Sequence, residues 1–335
     1  MNLFIPEAAY IDPLALKHAN GIVIKDKLVT LGVPIIYSKK VDISYETPGE
    51  NYIHSKNTVL VTTSNIKKLT SCKPSADFQF SISSSCPGNC EYCYLQTTQG
   101  EKPTIKIFAN IEDIIKTIEE YIEKSTGITT FECSSITDPI ALEHITGGLK
   151  TLIEFFGESE RGRLRLVTKY SNVDSLLSLK HNKHTTFRFS INSDYVINNF
   201  EHKTAPLDAR LQAALKISKA HYPLGFILAP IMTYVGWKED YRKTIEALYL
   251  SLKDYSDEIS FELIQHRFTK RAKELIMDRF PHTKLDLKEE NRILKWGPYG
   301  KFKYVYTKPV SKEIKDYVSE LIGKYFTNYR IEYFT

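Results

Sequence analysis

The stretch SCPGNCEYCYLQ, residues 85–96, places Cys86, Cys90 and Cys93 on one short loop. Three thiolates can turn inward there around a metal centre, because Gly88 relaxes the backbone between the first two and the ring of Pro87 stiffens its entry. A closed zinc site or an ordinary 4Fe–4S site takes four protein ligands. Only three are local. Either a remote His or Cys completes a structural zinc loop, or a cubane with three cysteines leaves one iron open to an exogenous ligand, which is what catalysis by a metal requires.

Composition favours ligation over disulfides. The chain has 335 residues and five cysteines, the other two being Cys72 and Cys133. An odd count without the basic, apolar and small-residue order of a secretory signal predicts reduced thiols and a cytoplasmic protein. No apolar run approaches the roughly 20 residues of a membrane span, so no membrane partner is expected. With 42% hydrophobic and 25% charged residues the chain reads as ordinary and globular. A net charge of +5 is too slight to demonstrate a nucleic-acid partner, though it would not repel one.

From about residue 75, short β-branched and aromatic runs alternate with stretches of helical period. Strands are expected at 78–85, 129–135, 163–170, 185–192, 224–231 and 258–265. Helices are expected at 110–125, 141–156, 172–180, 206–221, 237–254 and 269–280. This predicts an α/β fold with a partial (β/α)6 TIM-type barrel over 75–283. Residues 1–74 read as a small N-terminal α+β attachment, and 284–335 as a C-terminal extension with a hairpin, a helix at 311–325 and a last strand at 329–334. Ligands of such folds collect at the carboxyl ends of the strands. The cysteine loop directly follows the first of them.

The spacing C-x3-C-x2-C, with Tyr92 just before the last cysteine, resembles the radical S-adenosylmethionine superfamily. A narrower resemblance is carried by CYLQTTQGEKPTIKIFAN, GRLRLVTKY, FRFSINSDYVIN, FELIQHRFTK, KWGPYGKFKYVY and the terminal YFT. These strings are similar to stretches of the spore photoproduct lyase family, which repairs the methyl-bridged thymine dimer of ultraviolet-damaged spore DNA. The resemblance implies a 4Fe–4S cluster on Cys86, Cys90 and Cys93, with S-adenosylmethionine on the open iron. It implies a 5'-deoxyadenosyl radical that takes the C6 hydrogen of the lesion, and a cysteine thiol that quenches the resulting thymine radical. It also implies a spore-core location, a role in germination and an electron donor such as flavodoxin or ferredoxin.

Residue roles follow from the same strings. Tyr92 is expected near the adenosyl group, and Tyr92 and Tyr94 match the tyrosines of radical relay. Lys169, at the end of the third strand, suits the methionyl carboxylate. Thr137, Asp138, Ser190 and Asn192 offer hydroxyl, carboxylate and amide groups to the rest of the cofactor. One position departs from the family: the usual hydrogen-donating cysteine of the second strand is Ser135 here, and an O–H bond is too strong to replace S–H. Cys133 shares a face with Ser135 on an extended strand but lies about 7 Å deeper. Cys72 sits in the polar segment LTSCKPSADF and is the preferred donor.

The stretch LKWGPYGKFKYVYTK interleaves cations with aromatics, so Lys295, Trp296, Tyr299, Lys301, Lys303 and Tyr304 are expected to contact DNA phosphates and exposed bases. Pro298 stands where related hairpins carry an arginine. His266 and Arg267, at the end of the sixth strand, are further candidates. A lesion stacked in duplex must be flipped out to react. Two other readings stay open: radical chemistry on a different nucleic-acid or small-molecule substrate, and a zinc-containing nucleic-acid-binding protein.

Overall fold

Strand and helix alternate along the chain as the apolar pattern requires, giving an α/β fold with a curled half-barrel sheet. The computed structural model describes residues 3–297 and 302–335. The chain divides into two compact units. One comprises Met1–Pro87, Gln99–Phe187 and Ala220–Tyr222, the other Gly88–Thr98, Arg188–Lys219 and Pro223–Thr335. Neither division falls at residue 74 or 283.

The first unit holds more than a small attachment. Its strands Ile35–Tyr37, Ala8–Ile11, Thr58–Thr62 and Ile105–Phe108 lie side by side in that order and are parallel, with Ser83–Ser84 antiparallel at the far edge. Helices Ala19–Thr30 and Pro48–Lys56 make the crossovers. Ile105–Phe108 joins this sheet from beyond residue 74. The expected strand 78–85 is two strands: Ala76–Phe80 belongs to the half-barrel and Ser83–Ser84 to this other sheet.

Within the same unit Thr70–Cys72 runs antiparallel to Ala76–Phe80, which is parallel to Thr129–Cys133 and that in turn to Gly162–Thr168. Phe78, Phe131 and Leu164 share one register and Phe80, Cys133 and Leu166 another. The helix Ile111–Glu123 buries Ile111, Ile114, Ile118 and Ile122, the stripe its period predicts. The expected helix 141–156 is broken. A 3-10 turn Pro139–Leu142 and a short helix Glu143–Thr146 end at Gly147, whose φ of 60° lies in the left-handed region, and Gly148–Glu158 follows. The expected helix 172–180 is only the 3-10 turn Asp174–Leu176.

Strand Thr185–Ile191 begins in the first unit and continues into the second from Arg188. There Leu224–Ile231, Ile259–Gln265 and Tyr329–Phe334 pair in parallel, with Phe226, Phe261 and Ile331 in one register. The last strand of the C-terminal extension is thus part of the same sheet. A helix not anticipated, Asp194–Phe200, is capped by Ser193, whose hydroxyl accepts from the Val196 amide at 3.3 Å. Leu207–Lys219, Trp237–Ser251, Lys270–Arg279 and Lys308–Tyr325 complete the helices of this unit, and Arg292–Trp296 with Phe302–Tyr306 forms the expected hairpin. Among the described residues no helix is long and apolar enough to cross a membrane.

The break at Gly147 is held by a buried carboxylate. Glu143 accepts from the Leu149 amide at 2.8 Å and the Lys150 amide at 3.1 Å, capping the helix that starts at Gly148. Burial outweighs these hydrogen bonds and raises its pKa from 4.5 to about 7. The folded chain therefore binds the proton more tightly than the unfolded chain. That contribution is complete below about pH 4.5 and is lost as pH rises to about 7. Urea midpoints measured across this interval are expected to fall because of this group, and Glu143→Gln should flatten that part of the profile.

Candidate active site

The loop's last two cysteines belong to the second unit, where each is fixed from a different side. Asn89–Cys90 is a two-residue strand paired antiparallel with Glu201–His202, placing Cys90 opposite Glu201. The Cys93 amide then donates to the Cys90 carbonyl at 3.2 Å, closing the turn between the two residues. Gln96, buried, donates to the carbonyls of Cys90 at 2.9 Å and Glu91 at 3.1 Å. Arg279 holds Gln96 in turn at 3.0 Å. Glu91 is buried and accepts from His202 at 2.7 Å and from the Thr283 hydroxyl.

Beneath this turn lies a charge pair removed from water. Arg210 and Glu201 are both fully buried and meet at 2.6 Å. The guanidinium also donates to the Ala205 and Ser190 carbonyls at 2.8 Å and to the Thr204 hydroxyl at 2.9 Å. The other oxygen of Glu201 accepts from the Tyr92 phenol. Burial first and the Glu201 carboxylate second push the phenol's pKa well up, so Tyr92 stays protonated. Tyr94 is 54% exposed. The two tyrosines expected to act alike therefore have opposite environments.

In the first unit Cys86 is half-buried and follows Ser85, whose hydroxyl donates to the Pro103 carbonyl at 2.9 Å. None of the five cysteines is in a disulfide. Among the described residues no three His, Cys, Asp or Glu side chains are gathered as a metal site. The donor chemistry nonetheless suits iron–sulfur ligation: three reduced thiols from one loop, soft ligands with no carboxylate or imidazole among them.

The two donor candidates differ sharply. Cys133 ends its strand completely buried, and desolvation pushes its thiol pKa far up. Ser135 lies beyond the end of that strand, with its hydroxyl on Gln79, so the two do not share a strand face as an extended 129–135 would require. Cys72 is half-buried at the end of the edge strand Thr70–Cys72, its thiol donating to the Ala76 carbonyl at 3.5 Å. The turn behind it is pinned: Ser75 donates its amide to the Cys72 carbonyl at 3.1 Å and its hydroxyl to Glu132, while Arg165 reaches the Ser75 carbonyl at 2.5 Å.

Several expected cofactor contacts have other employment. Asp138 is buried and accepts from the Thr168 hydroxyl at 2.9 Å and the Lys169 amide at 2.7 Å, so it shapes the strand end from which Lys169 projects half-buried. Asn192 donates to the Pro230 carbonyl at 2.8 Å and accepts from Ser193 and Tyr241, which uses its amide inside the protein. Thr137 lies half-buried beside Ser83 at 3.4 Å, and Ser190 is buried.

The hairpin has two kinds of face. Arg292, Tyr304 and Tyr306 anchor its base: Arg292 stacks 3.7 Å above Tyr306, and Tyr304 stacks on Phe268 and donates to Glu289 at 2.5 Å. Tyr304 is thus a packing residue and not an open platform for bases. His266, buried and held neutral by a pKa lowered to about 3 through burial and then Arg292, takes the Arg292 guanidinium on its carbonyl at 3.0 Å and is a strut of that base. Towards the tip, Leu294, Trp296 and Phe302 are exposed, the last two in edge contact at 4.8 Å. On the opposite face Lys295 and Lys303 are directly paired across the strands. Burial first and Arg267 second hold the Lys303 ammonium below its ordinary pKa. Tyr299 and Lys301 lie outside the described residues, as does Pro298.

Glu201, Arg210, Gln96 and Arg279 were not legible as site residues. Charged side chains in a sequence read as surface, and the cue available, a Glu-His pair after an apolar turn, is too common to single out.

A family model described as spore photoproduct lyase matches residues 4–335. Spore photoproduct lyase of Bacillus subtilis (strain 168) is 44% identical over 340 residues, covering 100% of this chain and 99% of the relative. That of Clostridium acetobutylicum is 43% identical over 85% of this chain and 84% of the relative. Among solved structures, a double mutant of spore photoproduct lyase with bound AdoMet and dinucleoside spore photoproduct superposes with a TM-score of 0.96 at 42% identity, with 100% of both chains covered.

Removing one partner of the buried pair leaves the other charged and unsatisfied. Glu201→Gln is therefore expected to lower stability by about 3–5 kcal/mol. The surface fork of Arg242 on Glu239 and Glu246 is the comparison, since solvent screens that pair and Arg242→Gln should leave the midpoint nearly unchanged. Denaturant midpoints of the two variants measure the contrast.

Proposed function

The chain belongs to the spore photoproduct lyase family, and on that premise we propose how its own residues divide the work of reversing the methyl-bridged thymine dimer. It is a DNA repair lyase of the radical S-adenosylmethionine type, acting on ultraviolet-damaged DNA with S-adenosylmethionine and a 4Fe–4S cluster as cofactors. The observation that carries this is the whole-length likeness to a protein solved with both AdoMet and the dinucleoside lesion. When bound, these cofactors supply the radical that opens the reaction by removing hydrogen from the lesion.

Cys86, Cys90 and Cys93 ligate the cluster, with Gln96 and the Glu201 strand keeping the last two oriented. Lys169 holds a carboxylate of the cofactor, and Asp138 positions it through the Lys169 amide. Cys72 quenches the thymine radical. Its S–H bond breaks homolytically, the hydrogen joins the methylene carbon to restore the methyl group, and the unpaired electron stays on sulfur. A tyrosine O–H, from Tyr92 or Tyr94, would then give its hydrogen to that thiyl, leaving the unpaired electron on the phenoxyl oxygen. The half-buried thiol on a pinned turn supports Cys72; the depth of Cys133 argues against it. A small one-electron carrier such as flavodoxin or ferredoxin would be the electron partner.

The exposed Trp296 and Phe302 at the hairpin tip meet bases uncovered around the lesion, and Lys295 and Lys303 meet phosphates. Reconstituted, reduced protein given S-adenosylmethionine and an oligonucleotide carrying the lesion should restore two thymines, and failure would overturn the assignment. Cys72→Ala should still consume lesion but yield incorrectly quenched products, whereas Cys133→Ala should keep thymine as the product. Clean thymine from the Cys72 variant would exclude its role. Product identity is read by chromatography with mass detection.

A further inference from the structure

We propose that the first unit carries a second ligand site, for a phosphate ester of about sugar-phosphate size, in the crevice where its five-stranded sheet reverses its order. From Ala8–Ile11 the chain crosses through Ala19–Thr30 to Ile35–Tyr37 on one side, then returns through Pro48–Lys56 to Thr58–Thr62 on the other side of the first strand. The loops leaving the carboxyl ends of the two neighbouring strands therefore diverge. Open parallel sheets bind ligands in the gap this leaves. A cavity of about 240 Å³ lies there, walled by Lys17 and His18 from one loop and Thr63, Ser64 and Asn65 from the other. That is below the roughly 300 Å³ at which pockets for drug-sized ligands begin, so a small polar molecule is the fitting occupant.

The side chains around this cavity fall into two groups. Asp12 and Asn110, both buried, pin the walls. Asp12 accepts from the Leu14 amide at 3.0 Å and the Thr62 hydroxyl at 3.4 Å. Asn110 accepts from the Ser64 amide at 2.7 Å and donates to the Ser64 carbonyl at 2.9 Å and to Asp113 at 2.8 Å. The side chains of Lys17, His18, Thr63, Ser64 and Asn65 have no hydrogen-bond or ion-pair partner among the described residues. An ammonium, an imidazole, two hydroxyls and an amide lining one open crevice are donors suited to phosphate oxygens. The Asp113 carboxylate, also in the lining, repels an anion from its own end and accepts from a hydroxyl, which orients the sugar towards it and the phosphate towards Lys17. None of these residues belongs to the lyase machinery above.

The test is calorimetric titration of the reconstituted enzyme with thymidine 5'-monophosphate, with thymidine as the control lacking phosphate. Saturable binding of the monophosphate is expected, weakened about tenfold or more for thymidine and for the Lys17→Ala/Ser64→Ala double variant. Non-saturable uptake, equal binding of thymidine, or binding unchanged in the double variant would overturn the proposal. The same variant separates the two sources of a sugar phosphate. Weaker binding of undamaged duplex would identify the DNA backbone as the ligand, and unchanged duplex binding a free nucleotide. The titration uses neither S-adenosylmethionine nor lesion, so its failure leaves the lyase assignment intact. Repair of the dinucleoside lesion by the double variant, expected at the wild-type rate, tests that assignment separately.

Discussion

Two opposite charges withdrawn from water, Arg210 and Glu201, constrain everything built above them in the second unit. Such a pair is tolerable only when its remaining hydrogen-bonding capacity is filled. Arg210 fills its own with the carbonyls of Ala205 and Ser190 and the Thr204 hydroxyl, and Glu201 fills its second oxygen with Tyr92. The partners lie on three segments, at Tyr92, at Ser190, and at Thr204 with Ala205, so satisfying the pair fixes those segments together. Because Glu201 is also the strand partner of Cys90, the direction of the cysteine turn follows from an electrostatic requirement rather than from the loop's own preferences.

The same principle distinguishes the thiols. A hydrogen donor must be reached by a carbon radical and must stay protonated until it is. Cys133 meets the second condition through burial but fails the first; its register partners are Phe80 and Leu166, and it is core. Cys72 is accessible and lies on a turn held by Ser75, Glu132 and Arg165. Pre-organisation of that kind lets a donor act without an ordering step when the radical forms.

Much of this was legible in the sequence because it is periodic or dense. The six barrel strands and the Ile stripe of Ile111–Glu123 follow from period 2 and period 3.6, and three cysteines on one loop have few meanings. What escaped depends on tertiary context. The run 78–85 is uniformly strand-like, and only the competition of two sheets splits it. Gly147 reads as a tolerated helix glycine until its left-handed φ is seen. Asp138 and Asn192 are also held by internal partners, because buried polar groups are satisfied by whatever backbone is nearest, and no pattern of residues reveals which.

The facing lysines of the hairpin carry a further consequence. Like charges directly opposed across two strands destabilise the pairing that brings them together, and partial burial of Lys303 beside Arg267 sharpens the effect. The fold accepts this because Arg292, Tyr304 and Tyr306 clamp the other end. The pairing near the tip is thus held from its base rather than by its own cross-strand contacts.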